Sequence, residues 1–321
     1  MFLLSALYYF LSGFYLSSFS TPPISDSLKK ESIEVLRSVM NTQQEWVKVH
    51  AAEYLLWSGH PEGVQKTYLE EEKKWDTVSR YRIGIWRVLY QAAARSSEKE
   101  MWLHKIMDAF LDTAGADRIH AAETLAKLHV SPLKENPAVT EAALKSPVSS
   151  LALYTRWSVS FTSIDSSMRI RKSFLDIAIS PKEEVASRNL AAYVLRNSGE
   201  LPLAEWRVLA ASALSAASAS DIRMSLLNAA VITAPQKTAS TDLYREVYRA
   251  FLQYKDNPAK SVRIDIAAGL GERGQKENLP ILIAFLRNKN PTGVDADDAD
   301  VRATAAYAIL KMDKRQKEGV E

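Results

Sequence analysis

The chain has 321 residues, 47% of them hydrophobic and 25% charged, with 41 Lys and Arg against 38 Asp and Glu. A net charge of +3, scattered along the chain, lacks the concentrated basic stripe that nucleic acid requires, so no nucleic-acid partner is expected. The absence of cysteine removes disulfides, thiolate zinc sites, a cysteine nucleophile and a lipid-modified N-terminal cysteine.

Residues 1–20 carry no charged side chain and end in Ser18-Phe19-Ser20, a small-x-small triplet followed by Thr21-Pro22-Pro23. This pattern predicts a secretory signal peptide, although no Lys or Arg follows Met1. A membrane anchor over residues 2–20 is the alternative, and a buried first helix is a third reading. The protein is therefore expected to be secreted or periplasmic, touching a membrane only through this segment if it is uncleaved. Residues 21–43 read as a leader helix or linker, 44–314 as the main body, and 315–321 as a disordered tail.

The main body repeats itself. Ala51-Ala52, Ala121-Ala122 and Ala191-Ala192 are spaced 70 residues apart, and Ala267-Ala268 and Ala305-Ala306 extend the series. Weaker copies near Trp86, Ala152 and Leu226 fill the gaps, giving a unit of about 35–38 residues repeated about eight times. Small residues at one site per unit let adjacent helices approach closely and successive units stack alike. Prolines at 61, 132, 181, 202, 235, 258, 280 and 291 fall between periodic segments and mark connections. About sixteen helices in antiparallel pairs are predicted, with no strand alternation anywhere. The pattern is weakest over 131–180, where an irregular unit or a bend is expected.

The end of the chain is the most regular. Val262, Ile266, Gly269 and Leu270 form one helical stripe, and Val301, Ala305, Ala308, Ile309 and Met312 form another. Asp300 is predicted to cap the second. Ser-Val262-Arg263-Ile-Asp-Ile-Ala267-Ala268-Gly-Leu270-Gly271-Glu-Arg-Gly274 and Asp300-Val301-Arg302-Ala-Thr-Ala305-Ala306 resemble HEAT repeats, with looser echoes at Asp117-Arg118 and Asp221-Ile222-Arg223. The resemblance implies an all-α, right-handed α-solenoid of about eight HEAT-like (armadillo-like) helical hairpins. It also implies that the second helix of each pair lines a concave face, and that Asp and Arg side chains bond between neighbouring units.

Chemical motifs are sparse. Gly269-Leu-Gly271-Glu-Arg-Gly274 matches a dinucleotide fingerprint, but a helical stripe precedes it where a strand is required, so the glycines are expected to end a helix. Asp295-Ala-Asp297-Asp298-Ala-Asp300 lacks the glycine and terminal glutamate of a calcium loop and reads as a solvated acidic loop. Glu70-Glu71-Glu72-Lys73-Lys74 reads as an exposed helix face. His50-Ala-Ala-Glu53 and His120-Ala-Ala-Glu123 are the same tetrapeptide two units apart, about 16–20 Å if helix layers stack at 8–10 Å, too far to share one metal. No His-Glu dipeptide or HExxH occurs, and no catalytic, cofactor or metal residue is predicted.

The candidate binding surface is a stripe of His50, Trp86 and His120, with Glu53 and Glu123 beside it. The chain is expected to be a non-enzymatic scaffold offering an extended surface to a protein partner. One alternative is a carbohydrate-binding accessory protein with an aromatic-rich N-terminal concave surface, resting on Trp46, Trp57, Trp86 and Trp102. Another is a non-catalytic subunit of an enzyme complex.

Overall fold

The computed structural model describes residues 24–217 and 222–318. The predicted signal peptide or anchor over 1–20 lies outside them, as do Asp221 and residues 319–321. No helix among the described residues is long and apolar enough to cross a membrane.

The described residues are all-α, with sixteen α-helices and no strand, and neighbouring helices pack in pairs. The first members of the pairs are α1 (Asp26–Thr42), α3 (Val64–Trp75), α5 (Ser96–Leu111), α7 (Pro137–Leu144), α9 (Ile164–Ile179), α11 (Leu203–Ser215), α13 (Asp242–Leu252) and α15 (Leu279–Leu286). The second members are α2 (Glu45–Trp57), α4 (Tyr81–Ala92), α6 (Arg118–Lys127), α8 (Ser149–Val159), α10 (Val185–Arg196), α12 (Arg223–Ile232), α14 (Lys260–Arg273) and α16 (Asp295–Lys317). The expected leader helix is thus the outer member of the first pair, packed on α2 and α16. The tail expected from residue 315 continues as helix to Lys317. The weak stretch 131–180 holds the eight-residue α7 and two 3₁₀ turns, at Pro132–Lys134 and Ser160–Thr162.

Each second helix packs on the next, from α2 through α16, and α16 packs back on α1 and α2. The second helices therefore form an inner ring with the first helices outside it. The paired alanines of α2, α6 and α10 are fully buried or nearly so, as small residues between close helices must be. Between α14 and α16 the helices meet closely at Gly271, where an added Cβ would stand 3.1 Å from the Ala308 backbone. Leu36, Leu55, Ile83, Ile85 and Leu89 are fully buried, each contributing about 1.5–3 kcal/mol.

One local device recurs around the ring. Arg118, Arg188 and Arg302 of inner helices donate at 3.0–3.1 Å to the Phe110, Ala178 and Leu286 carbonyls, in the last turns of the preceding outer helices; Arg223 does the same to Ala216, just past α11, while Arg263 donates at 3.0 Å to the Asn257 carbonyl in the loop after α13. Those last carbonyls have no partner within their own helix and carry partial negative charge, so a guanidinium satisfies both needs. Two of these arginines also reach the next unit, Arg118 to the Val139 carbonyl at 3.5 Å and Arg263 to the Asn290 carbonyl. Asp117 and Arg82 make an Asp–Arg bond between neighbouring units, and Lys260 with Asp300 makes a similar link.

Several local expectations are corrected. Gly269 and Gly271 lie inside α14, and only Gly274 ends it. Gly269 leaves space for Phe251 and Asn228, which an added Cβ would meet at 2.6 and 2.7 Å. The acidic run is the start of α16, where acids favour the helix N-terminus, so Asp300 sits in the second turn and does not cap. Glu71 is buried, accepting from Lys48 Nζ at 2.8 Å and Tyr81 Oη at 2.7 Å, so that face of α3 is not wholly exposed.

Candidate functional site: a central funnel

Closure of the ring brings side chains from non-adjacent inner helices together. Trp46 of α2 crosses α4 and packs against His120 of α6, with centroids 5.2 Å apart and the rings tilted by 31°. It can cross because position 84 is glycine; a Cβ there would meet Trp46 Cζ3 at 3.1 Å and Val49 Cγ2 at 2.9 Å. Lys127 of α6 and Arg196 of α10 flank the ring of Tyr193, at 5.7 and 5.0 Å. Arg196 also reaches across α12 to Asp265 of α14.

A funnel of about 410 Å³ remains at the end of the ring where the inner helices terminate. Its aromatic wall comes from Tyr54 and Trp57 of α2, Trp157 of α8, Tyr193 of α10 and Tyr307 of α16. Tyr54 and Tyr307 stack nearly parallel, 4.7 Å and 4° apart, and Trp57 stands 5.7 Å from each. Trp57 is 49% exposed at the mouth.

A chain of polar contacts runs inward from that tryptophan. Its indole N–H donates to Gln91 Oε1 at 2.6 Å, and Gln91 Nε2 donates to Glu53 Oε1 at 2.8 Å. Arg87 grips Glu53 with both arms of its guanidinium, at 2.6 and 2.9 Å, and also donates to Thr124 Oγ1 at 3.3 Å. Burial raises the Glu53 carboxyl, but the Arg87 charge outweighs it and holds Glu53 below the usual carboxylate range. Glu123 behaves likewise. Burial opposes its ionisation, and Lys127, 2.7 Å away, holds it well below the usual range.

Burial pushes the Tyr54 hydroxyl well up and Tyr307 up to about 12, so both remain protonated donors near neutral pH. At the ring seam His50 Nδ1 lies 2.9 Å from Asp300 Oδ1, and Lys260 holds the other Asp300 oxygen at 3.0 Å. Tyr54 Oη meets Thr304 Oγ1 at 3.3 Å.

The predicted stripe is thus half formed. His50, Glu53, His120 and Glu123 do lie on inner helices, though only His50 and Glu53 border the funnel directly. Trp86 does not join them. It is 8% exposed and packs under Arg82 and Lys105, at 5.6 and 5.3 Å. Its neighbour Arg87 takes the inward position, because one residue turns a helix by about 100° and only one of the two can face Glu53. Of Trp46, Trp57, Trp86 and Trp102, which the glycan alternative rests on, Trp86 and Trp102 are buried, Trp46 is half-buried and Trp57 alone is exposed.

Sequence reasoning missed Tyr54, Arg87, Lys127, Tyr193, Arg196 and Tyr307. A signal for part of this set existed: the residue after four of the five alanine pairs is Glu53, Glu123, Tyr193 or Tyr307, all at or beside the funnel, and the fifth is Gly269. Among the described residues no group of three or more His, Cys, Asp or Glu could hold a metal ion. Comparison of the chain with protein-family models, curated proteins and solved structures gives no match.

Proposed function

We propose that this is a non-enzymatic binding protein whose ligand seat is the central funnel, and that the ligand is a neutral, hydroxyl-rich molecule of the glycan class. One observation carries the reading: an aromatic wall, exposed at Trp57 and half-buried at Tyr54, Tyr193 and Tyr307, stands beside ionised groups that already have partners. Arg87 is matched to Glu53, Lys127 to Glu123, Arg196 to Asp265 and Lys311 to Glu272. Such a site has no net charge to attract an ion, yet it offers flat apolar faces and many fixed donors and acceptors. A sugar ring has the same duality, with an apolar C–H face and a belt of hydroxyls that both donate and accept. The funnel volume lies in the range of small-ligand sites.

Glu53 and Glu123 are held ionised, so neither supplies a general acid near neutral pH, which favours binding over acid–base catalysis. The packing of α16 on α1 and α2 favours a compact ligand over the long open surface that a protein partner would use. The alanine pairs and recurring arginines support reading the helix pairs as HEAT-like units wound into a closed ring. Export remains our reading of residues 1–20.

Titrating the protein with neutral oligosaccharides, followed by tryptophan fluorescence and calorimetry, tests the seat. Binding should perturb Trp57, and Trp57→Ala should weaken it about tenfold or more, because an aromatic anchor dominates such contacts. No binding by any member of a broad neutral series would remove the glycan reading.

A further inference from the structure

The funnel is not isolated. A larger groove of about 850 Å³ runs between α1 and the last turns of α16, and it shares Trp57, Tyr307 and Lys311 with the funnel wall. Trp57 and Tyr307 therefore present surface to both spaces. The groove floor is apolar, formed by the half-buried Ile33 and Leu310. It exists only because the ring closes, since one wall belongs to the first helix of the chain and the other to the last.

Resting on the glycan reading of the funnel, we propose that the groove is a second subsite for the same ligand. A linear neutral oligosaccharide would seat its end in the funnel, pass the Trp57–Tyr307 wall, and lay its following units between α1 and α16. The groove chemistry supports a neutral occupant. Its cations are numerous, but each contacts an acid: Lys29 with Asp26 at 2.5 Å, Arg37 with Glu62 at 2.6 Å, Lys317 with Asp313 at 2.7 Å, and Lys311 with Glu272. Lys30 and Lys314 lie 3.9 and 4.0 Å from Glu34 and Glu318. Matched charges give no strong field to draw in a polyanion, whereas they leave donors and acceptors along both edges for hydroxyls. A ligand confined to the funnel would make no use of the Ile33–Leu310 floor. A longer one covers it and gains affinity with length.

The experiment compares disaccharide and hexasaccharide of one linkage, using cellobiose and cellohexaose, maltose and maltohexaose, and chitobiose and chitohexaose. Calorimetry on the protein and two variants reads the affinities. In the series that binds, the hexasaccharide should bind about tenfold or more tighter than the disaccharide. Trp57→Ala should weaken both lengths. Leu310→Trp, which fills the groove floor, should remove the length gain and leave disaccharide affinity unchanged. Equal affinity for the two lengths, or a gain that survives Leu310→Trp, overturns the groove subsite and leaves the funnel reading standing. Failure of every saccharide overturns both. Salt-dependent binding of acidic peptides that is lost in Lys30→Glu/Lys314→Glu would show the groove to be a polyanion site and overturn the neutral-ligand assignment. Circular dichroism and a thermal melt confirm that each variant is folded.

Discussion

Glu53 shows how one residue can be obvious in the sequence while its role is hidden. Its His-x-x-Glu context marks it, but the partner that decides its chemistry, Arg87, sits 34 residues away on the next inner helix. Removing one member of a buried pair leaves the other charge unmatched, which costs far more than losing both. Glu53→Gln should therefore destabilise the fold by about 3 kcal/mol in chemical denaturation, whereas Glu53→Met combined with Arg87→Met should recover most of that loss. Similar losses for the single and double variants would show that the pair is not coupled. The pH dependence has a definite sign. Glu53, Glu123 and Asp300 all have folded pKa values depressed below their ordinary ones, Glu53 and Glu123 because a neighbouring cation outweighs burial and Asp300 because its contacts with His50 and Lys260 do. Their contribution is complete above the unfolded values, near 4, and is lost as pH falls through the folded ones.

At the scale of elements, α4 carries opposing demands at position 84. Alanine would improve helix propensity by about 1 kcal/mol over glycine. The same methyl group would press on Val49 and on Trp46 where it crosses to His120, and overpacking of that kind costs about 1–3 kcal/mol. Sterics should win, so Gly84→Ala is expected to lower the melting temperature and to alter the fluorescence of Trp46. A higher melting temperature would show that Trp46 is not pinned by α4. The helices themselves were legible because their stripes and prolines are local signals. Trp86 was misplaced for an equally physical reason: repeat spacing fixes position along the axis more tightly than rotation about it. A slip of one residue exchanges Trp86 for Arg87 on the inner face. The buried side of α3 was missed because Glu71 looks solvated until Lys48 and Tyr81 are seen around it.

For the whole molecule, closure changes how stability is distributed. In an open stack the terminal units have one neighbour and fray first. Here α16 lies on α1 and α2, with Gln43–Asp295, His50–Asp300 and the two-armed Arg287–Glu31 contact along the seam. Native-state hydrogen exchange should accordingly find α2 and α16 protected as strongly as α6. Selective early exchange at α2 and α16 would mean that the seam opens in solution. The exposed Arg287–Glu31 pair contributes little by itself, so the effect rests on helix packing at the seam.

The sequence alone determined the helical class, the repeat length and the small residues that let the helices stack, because these follow from periodicity within a few turns of chain. It also placed all five candidate residues on inner helices, though Trp86 faces the wrong way. The tertiary structure decided that the two ends meet, that Arg87 and not Trp86 faces inward, and that Trp57 and Tyr307, 250 residues apart, share one wall. Those outcomes depend on small rotations between successive helix pairs, summed around the ring, and no local stretch of sequence carries that sum.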